Sequence, residues 1–168
     1  MNFVLCGMMG SGKSRLGKNI AAKTGRNWID TDELIVRKFG QISKIFAEKG
    51  EGYFRDLETE IAEELSRKDG LVISTGGGFV LRKINAELLK RNGKILFLRA
   101  EKQTLLSRLV GDTDRPLLQG EDLESKIDRL LKERAPVYER VANFVLDVDG
   151  YSVEENTERA IEKFLGDK

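Results

Sequence analysis

The stretch "GMMGSGKS" at residues 7–14 decides the fold, because it matches the pattern G-x-x-x-x-G-K-[ST] of a phosphate-binding loop. It follows the apolar run "NFVLC" (2–6) and opens a segment of helical periodicity near 13–24. Glycines let such a loop turn tightly, so that its N–H groups converge on phosphate oxygens at a helix N-terminus. The alternative, a glycine-rich turn beside a solvated lysine, leaves this strand–loop–helix order unexplained. The sequence therefore predicts a nucleoside triphosphate site.

The same loop supplies most of the predicted nucleotide contacts. Lys13 would bring positive charge to the β- and γ-phosphates, and the Ser14 hydroxyl would ligate Mg²⁺. The residues predicted to bind ATP in this segment are Gly10, Ser11, Gly12, Lys13, Ser14 and Arg15.

Outward from the loop, short apolar runs alternate with longer segments of helical period. The strand candidates are 2–6, 27–30, 71–75, 94–98 and 143–148. The helix candidates are 13–24, 32–39, 42–49, 53–67, 80–91, 101–109, 122–140 and 152–165. This alternation predicts an α/β fold with a five-stranded parallel sheet and helices on both faces. At 168 residues, a single domain is expected.

The amino-acid composition limits which partners and which catalytic groups the chain can have. The 29 basic and 28 acidic side chains nearly balance, so no charge footprint for nucleic acid or an anionic membrane is present. With no histidine, a general base must be Asp, Glu, Lys or water. The single Cys6 is expected to be a buried thiol on a strand. The start "MNFVLCGMMG" resembles no secretory leader and no apolar run is long enough to cross a bilayer, so a cytoplasmic protein is expected.

Two aspartates with one residue between them follow the second strand candidate, in "IDTDE" (29–33). The carboxyl end of that strand should open on the same crevice as the phosphate loop. We expect Asp30 to reach the Mg²⁺ shell beside Ser14, and Asp32 to project past it toward a phosphoryl acceptor. The alternative is that one of these residues caps the helix that follows, a role compatible with catalysis.

Six separated motifs, all in the same order, make the chain resemble the shikimate kinases over nearly its full length. They are "GMMGSGKSRLGKNIA" (7–21), "DTD" (30–32), "GEGYFRDLE" (50–58), "TGGG" (75–78), "DRPLL" (114–118) and "RAPVYERVA" (134–142). The resemblance implies a P-loop kinase fold with a small lid (about 109–121) and a substrate-binding segment (about 31–60). It also implies ATP-dependent phosphorylation of the 3-hydroxyl of shikimate in aromatic amino acid (chorismate) biosynthesis, with one Mg²⁺ per subunit.

Shikimate is a carboxylate with three hydroxyls, and the resemblance assigns residues to both kinds of group. Arg55 and Arg134 match carboxylate-binding arginines, whose guanidinium groups can pair bidentately. Glu58 would hold Arg55 in place, although a surface ion pair is the alternative. The glycine triplet would offer N–H groups to substrate oxygens, whereas a tight turn needs only one glycine. The predicted substrate-binding residues are Asp32, Arg55, Glu58, Gly76, Gly77, Gly78 and Arg134.

Two further arginines match the family's nucleotide contacts. Arg115 matches a lid arginine that swings over the phosphates, and it joins Lys13 and Asp32 as the predicted catalytic set. "GDTDRPLLQGED" (111–122) is therefore read as a mobile loop, with an ordinary surface connection as the alternative. Arg108 matches an arginine that stacks on adenine opposite a proline, but no proline follows the last strand here. The surface that covers the other face of the adenine ring must therefore come from backbone or from another side chain.

Several interpretations stay open at this point. Tyr138 and Trp28 are either core residues or lining of the substrate crevice. A kinase for gluconate or a nucleoside monophosphate would share the phosphate loop, and so would a nucleotide-dependent regulatory module, although the guanine signature N-K-x-D is absent. A monomer is expected, with one module of a longer pathway polypeptide as the alternative.

Overall fold

The computed structural model describes residues 1–110 and 122–166. Five parallel strands form one sheet in the spatial order β2-β3-β1-β4-β5. The strands are β1 (Asn2–Cys6), β2 (Asn27–Asp30), β3 (Leu71–Ser74), β4 (Gly93–Arg99) and β5 (Phe144–Asp147). The helices are α1 (Lys13–Thr24), α2 (Thr31–Phe39), α3 (Ile42–Leu65), α4 (Lys83–Lys90), α5 (Lys102–Leu109), α6 (Leu123–Val141) and α7 (Val153–Leu165). The predicted α/β architecture is confirmed.

The central strand β1 shows why the sheet is covered on both faces. Its residues are all buried, and they alternate between two apolar layers. Phe3 and Leu5 enter one layer, whereas Val4 and Cys6 enter the other, because successive side chains on a strand point to opposite faces. The first layer also contains apolar residues of α1 and α7, and the second contains those of α2, α3, α4, α5 and α6. Burial also raises the pKa of the Cys6 thiol to about 12.

Three predicted helices differ in their boundaries from the helices of the structure. The segments predicted at 42–49 and 53–67 are merged into α3, but Gly50 interrupts it with φ 85° and ψ 170°. Glycine tolerates this left-handed φ without steric cost, so the chain can change direction between the two predicted helices. The helix predicted at 80–91 is divided into a 3₁₀ turn, Phe79–Leu81, and α4.

The arrangement brings three strand ends to one edge of the sheet. β1 runs into the phosphate loop, β2 ends at Asp30, and β3 runs into the glycine triplet. Because β1, β2 and β3 are parallel and adjacent, their carboxyl ends open on one crevice. Within the described ranges, no helix has both the length and the apolar character needed to cross a membrane.

Candidate functional site

The phosphate loop is shaped by three glycines and one buried lysine. Gly7, Gly10 and Gly12 have φ values of 145°, 80° and 95°, which side-chain-bearing residues rarely adopt. Lys13 Nζ donates to the carbonyls of Gly7 (2.9 Å) and Met8 (2.8 Å), across the loop that precedes it. The lysine therefore lies inside the loop at the N-terminus of α1, where phosphate oxygens would be bound.

Ser11 gives a second indication that the loop is built for a ligand. Its Oγ is buried and has no hydrogen-bond partner among the residues that the structure describes. A buried hydroxyl without a partner is costly, so such groups usually have a bound molecule or water to satisfy them. A phosphate group in the loop fits this hydroxyl.

Ser14 and Asp30 are brought together as the sequence predicts. Ser14 Oγ donates to Asp30 Oδ2 at 2.6 Å, which joins the phosphate loop to the end of β2. Asp30 Oδ1 accepts from the N–H groups of Asp32 (2.9 Å) and Glu33 (3.2 Å) and so caps α2. The capping interpretation is therefore correct for Asp30, and the same carboxylate also reaches the loop.

The glycine triplet brings the predicted substrate groups to one place. A Cβ on Gly76 would lie 2.6 Å from Asp32 Oδ1, and a Cβ on Gly77 would lie 3.2 Å from Arg134 Nη1. A Cβ on Gly78 would collide with the guanidinium of Arg55. None of the three has a positive φ, so what these glycines provide is space for the facing side chains rather than an unusual backbone conformation. Asp32, Arg55 and Arg134 therefore each lie against one glycine.

The triplet's polar backbone groups are partly used within the protein. The Gly76 N–H donates to Thr31 Oγ1 at 2.9 Å, so this amide has a partner within the protein. The Gly77 carbonyl accepts from the Tyr138 hydroxyl at 2.5 Å. Tyr138 is fully buried, which agrees with the core interpretation, but its hydroxyl reaches the site. Sequence reasoning missed Thr31, although its place between the two aspartates was a signal.

Arg55 is held by two carboxylates on its own helix. Arg55 Nη1 donates to Glu58 Oε2 at 2.8 Å, and Nη2 donates to Glu51 Oε1 at 3.1 Å. The Arg55 and Glu58 side chains are only 12% and 1% exposed, so the surface ion pair interpretation is wrong. Glu51 was missed, although its spacing of four residues from Arg55 is the spacing at which helical side chains meet.

The environment of Glu58 changes its charge near neutral pH. Burial raises the pKa of Glu58 to about 7, against the opposing effect of Arg55, and the neighbouring Asp32 raises it further. When Glu58 is protonated, the two buried arginines face one fewer negative charge. The electrostatic potential around Arg55 and Arg134 is then more positive, which favours binding of an anionic ligand.

A cavity of about 270 Å³ borders the phosphate loop at Ser11 and Gly12. It is lined by Ser11, Gly12, Arg15, Leu16, Arg108, Val148, Val153 and Asn156. Arg108 Nη1 donates to the Gly10 carbonyl at 2.9 Å, which fixes the guanidinium at the loop. Val148 and Val153 supply apolar lining from the end of β5 and the start of α7. Sequence reasoning did not identify them, because nothing local marks either valine.

Trp28 lies against α1 rather than with the predicted substrate-binding residues at the glycine triplet. Its indole N–H donates to Ser74 Oγ at 3.0 Å, and that oxygen donates to the Lys13 carbonyl at 2.8 Å. A Cβ on Gly17 would lie 2.6 Å from Trp28 Nε1, so α1 approaches the strand closely only because glycine stands there.

Two further predictions concern the lid and the metal site. Arg115 and residues 111–121 of the predicted lid lie outside the described residues. In the described part of the chain, no three acidic or cysteine side chains form a group that could hold a metal. A Mg²⁺ ion at Ser14 and Asp30 would therefore need phosphate and water oxygens as well, which is how Mg²⁺ is usually bound.

Comparisons with known proteins agree with this geometry. The family model described as "Shikimate kinase" matches residues 9–165. A shikimate kinase of Thermodesulfovibrio yellowstonii is 44% identical over 164 residues, which cover 97% of this chain and 94% of that protein. A shikimate kinase of Caldicellulosiruptor bescii is 45% identical over 161 residues, covering 95% and 93% respectively.

Solved structures show the same fold. Shikimate kinase from Acinetobacter baumannii in complex with shikimate has a TM-score of 0.95 and 36% identity, over 99% of this chain and 94% of that chain. A gluconokinase from Sinorhizobium meliloti has a TM-score of 0.69 over 97% of this chain and 90% of that chain. At 20% identity, this second likeness concerns the fold alone. The predicted P-loop kinase fold is confirmed.

Proposed function

The chain belongs to the shikimate kinase family, and we propose that it transfers the γ-phosphoryl group of ATP to the 3-hydroxyl of shikimate at the crevice described above. The products are ADP and shikimate 3-phosphate, within aromatic amino acid biosynthesis. One observation carries the assignment of residues. The glycine triplet leaves room for Asp32, Arg134 and Arg55 together, and Gly77 also lies against the phosphate loop, with its Cβ position 3.6 Å from the Met9 nitrogen.

Arg55 and Arg134 bind the shikimate carboxylate in this proposal. Both side chains are largely buried, so charge-assisted hydrogen bonds to a carboxylate would be formed away from bulk water. Glu58 and Glu51 orient the Arg55 guanidinium before substrate arrives. Such preorganisation reduces the ordering that binding would otherwise require.

Asp32 orients the acceptor hydroxyl. Its carboxylate lies over Gly76, next to Asp30 at the start of α2. Phosphoryl transfer has a loose transition state that requires little of a base until the bond to the leaving oxygen is largely broken. Asp32 therefore accepts the hydroxyl proton late in the reaction, and its main contribution is to hold the hydroxyl in line.

Charge on the transferring phosphoryl group is stabilised by cations on the nucleotide side. Lys13 acts from inside the loop, and Arg115 is proposed to act from the lid. Ser14 and Asp30 would hold Mg²⁺ together with phosphate and water oxygens, and the ion would supply positive charge at the phosphates. The pairing of these two oxygen ligands at 2.6 Å is what supports a Mg²⁺ site.

The adenine base is proposed to occupy the cavity between Arg108 and the valines. Arg108 would stack on one face, and Val148 and Val153 would cover the other in place of a proline. The polar groups of Asn156 are already engaged, since Nδ2 donates to the Val148 carbonyl and Oδ1 accepts from Arg159. The wall is therefore mainly apolar, and it discriminates little between purine bases.

The remaining assignments extend the same proposal. Within a single domain, residues 31–60 are proposed as a substrate-binding segment, and residues 109–121, of which 111–121 lie outside the described residues, are proposed as a lid. The active form is proposed to be a monomer. A cytoplasmic location, where ATP is available, fits this activity, and neither nucleic acid nor a membrane is proposed as a partner.

ADP release tests the proposal. Purified protein with ATP and Mg²⁺ is assayed with shikimate, gluconate, a nucleoside monophosphate or no acceptor. Shikimate is expected to stimulate ADP release far more than the other additions. Equal rates with all four would contradict the proposed acceptor.

Asp32→Asn tests the role of the acceptor carboxylate. The substitution keeps the shape of the side chain but removes the charged oxygen that holds the acceptor hydroxyl in line, so kcat should fall about 100-fold, the cost of a misplacement of about 1 Å in a reacting geometry. Nucleotide affinity, measured by calorimetry with ADP, should stay within about twofold of the wild type. Unchanged turnover would refute this role for Asp32.

A further inference from the structure

Two buried hydroxyl groups hold the glycine triplet from opposite sides. Thr31 Oγ1 accepts from the Gly76 N–H at 2.9 Å, and the Tyr138 hydroxyl donates to the Gly77 carbonyl at 2.5 Å. Both side chains are 0% exposed. Two successive residues of the triplet are therefore fixed by hydrogen bonds from two different helices, α2 and α6.

Each hydroxyl lies next to a charged group of the site along its own helix. Thr31 immediately precedes Asp32 at the start of α2, and Asp32 Oδ1 lies 2.6 Å from the Cβ position of Gly76. The threonine thus binds the same glycine that the carboxylate contacts. A displacement of Gly76 relative to α2 would change the place of the carboxylate in the crevice.

Tyr138 has the corresponding relation to Arg134. It follows the arginine by one turn of α6, and Arg134 Nη1 lies 3.2 Å from the Cβ position of Gly77. The ring packs against Phe97 of β4 with centroids 5.2 Å apart, so the phenol is held independently of its hydroxyl. Burial also raises the pKa of Tyr138 from 10 to about 12, so the hydroxyl remains a donor to higher pH than an exposed tyrosine.

We propose that Thr31 and Tyr138 are positioning residues, which set the distance between the acceptor carboxylate of Asp32 and the cation of Arg134 by fixing the glycine backbone between them. The inference rests on the proposed function, because it assigns roles to the same site. The inference assigns a different kinetic effect to each of the two residues. Thr31 acts on the carboxylate and therefore on turnover, whereas Tyr138 acts on the arginine and therefore on shikimate binding.

The test begins with Thr31→Val, which keeps the shape of the side chain but removes the acceptor of the Gly76 N–H. We expect kcat to fall about tenfold, equivalent to about 1.4 kcal/mol of activation free energy, with KM for ATP unchanged. Thr31→Ser keeps the hydroxyl and should restore kcat to within about threefold of the wild type. Thr24→Val is the matched control, because Thr24 Oγ1 donates to the Ile20 carbonyl at the far end of α1.

Tyr138→Phe provides the second arm. It removes one oxygen and retains the ring, so it should raise KM for shikimate about tenfold while kcat changes less than threefold. The packing against Phe97 remains, so this variant carries the test even if Thr31→Val does not fold. Melting temperatures of all variants are measured, and assays are run well below the lowest one.

The outcomes separate this inference from the function on which it rests. If the wild type is active on shikimate and both variants match Thr24→Val in kcat and KM, the inference is overturned and the function stands. A serine variant as impaired as the valine variant also overturns it. A wild type without shikimate-dependent ADP release overturns both.

Discussion

Substituting Gly76 by alanine should impair catalysis without impairing folding. The added Cβ would lie 2.6 Å from Asp32 Oδ1, whereas ordinary contact begins at 3.4 Å, so the carboxylate must move by at least the difference of 0.8 Å. A displacement of about 1 Å in a reacting geometry can lower a reaction rate about 100-fold, so kcat of this variant should fall about 10- to 100-fold. Gly76 has no positive φ, so alanine fits the backbone and its stability cost should be small.

The assay measures ADP release at saturating ATP and shikimate, together with thermal unfolding. Gly52→Ala is the matched control, because Gly52 has no positive φ and a Cβ there would meet nothing within 4 Å. The control should keep wild-type kcat. If Gly76→Ala kept kcat within twofold of the wild type at an unchanged Tm, the observed position of the Asp32 carboxylate would not be what orients the acceptor hydroxyl.

Three further predictions concern other parts of the site. Arg134→Ala should raise KM for shikimate about tenfold or more, because charge-assisted hydrogen bonds contribute about 1.5–3 kcal/mol each; a wild-type KM would exclude this contact. Because burial raises the Glu58 pKa from 4.5 to about 7, its protonated form stabilises the fold below pH 4.5, and this contribution is lost as pH rises through 7. Thermal unfolding from pH 4 to 8 should show the wild type losing Tm relative to Glu58→Gln, and parallel curves would contradict this shift. Val153→Asp should raise KM for ATP about tenfold, about 1.4 kcal/mol, while KM for shikimate stays constant; the reverse pattern would rule out the proposed adenine wall.

The phosphate loop could be predicted from sequence because its structure is local. A strand, a glycine pattern and a helix start within thirteen residues determine where the N–H groups point. The N-cap role of Asp30 could be expected for the same reason, since capping depends on neighbouring residues in the chain. The contact between this cap and Ser14, sixteen residues earlier, was expected on a different ground, because the ends of parallel strands meet at one edge of the sheet.

The glycine triplet shows where local reasoning stopped. The sequence indicated a close approach to bare backbone, but it could not show what approaches. Which side chain faces each glycine depends on how α2, α3 and α6 pack around the end of β3, and these elements are far apart in the chain. The use of the Gly76 amide by Thr31, at a separation of 45 residues, follows from the same packing.

The adenine side was beyond sequence reasoning for a similar reason. The absence of a proline was visible, but its replacement required knowing that the end of β5 and the start of α7 face Arg108. Valines in such places resemble any core residue in a sequence. The role proposed for them rests on the cavity that they line together with Arg108.

The contact between Trp28 and the first turn of α1 has a practical consequence. The chain contains one tryptophan, and its indole is joined through Ser74 to the backbone of Lys13, the residue that lies inside the phosphate loop. Excitation selective for indole over the three tyrosines therefore reports from one residue, two hydrogen bonds away from the nucleotide site. Rapid-mixing experiments can follow nucleotide arrival in the unlabelled protein, without assigning the signal among several fluorophores.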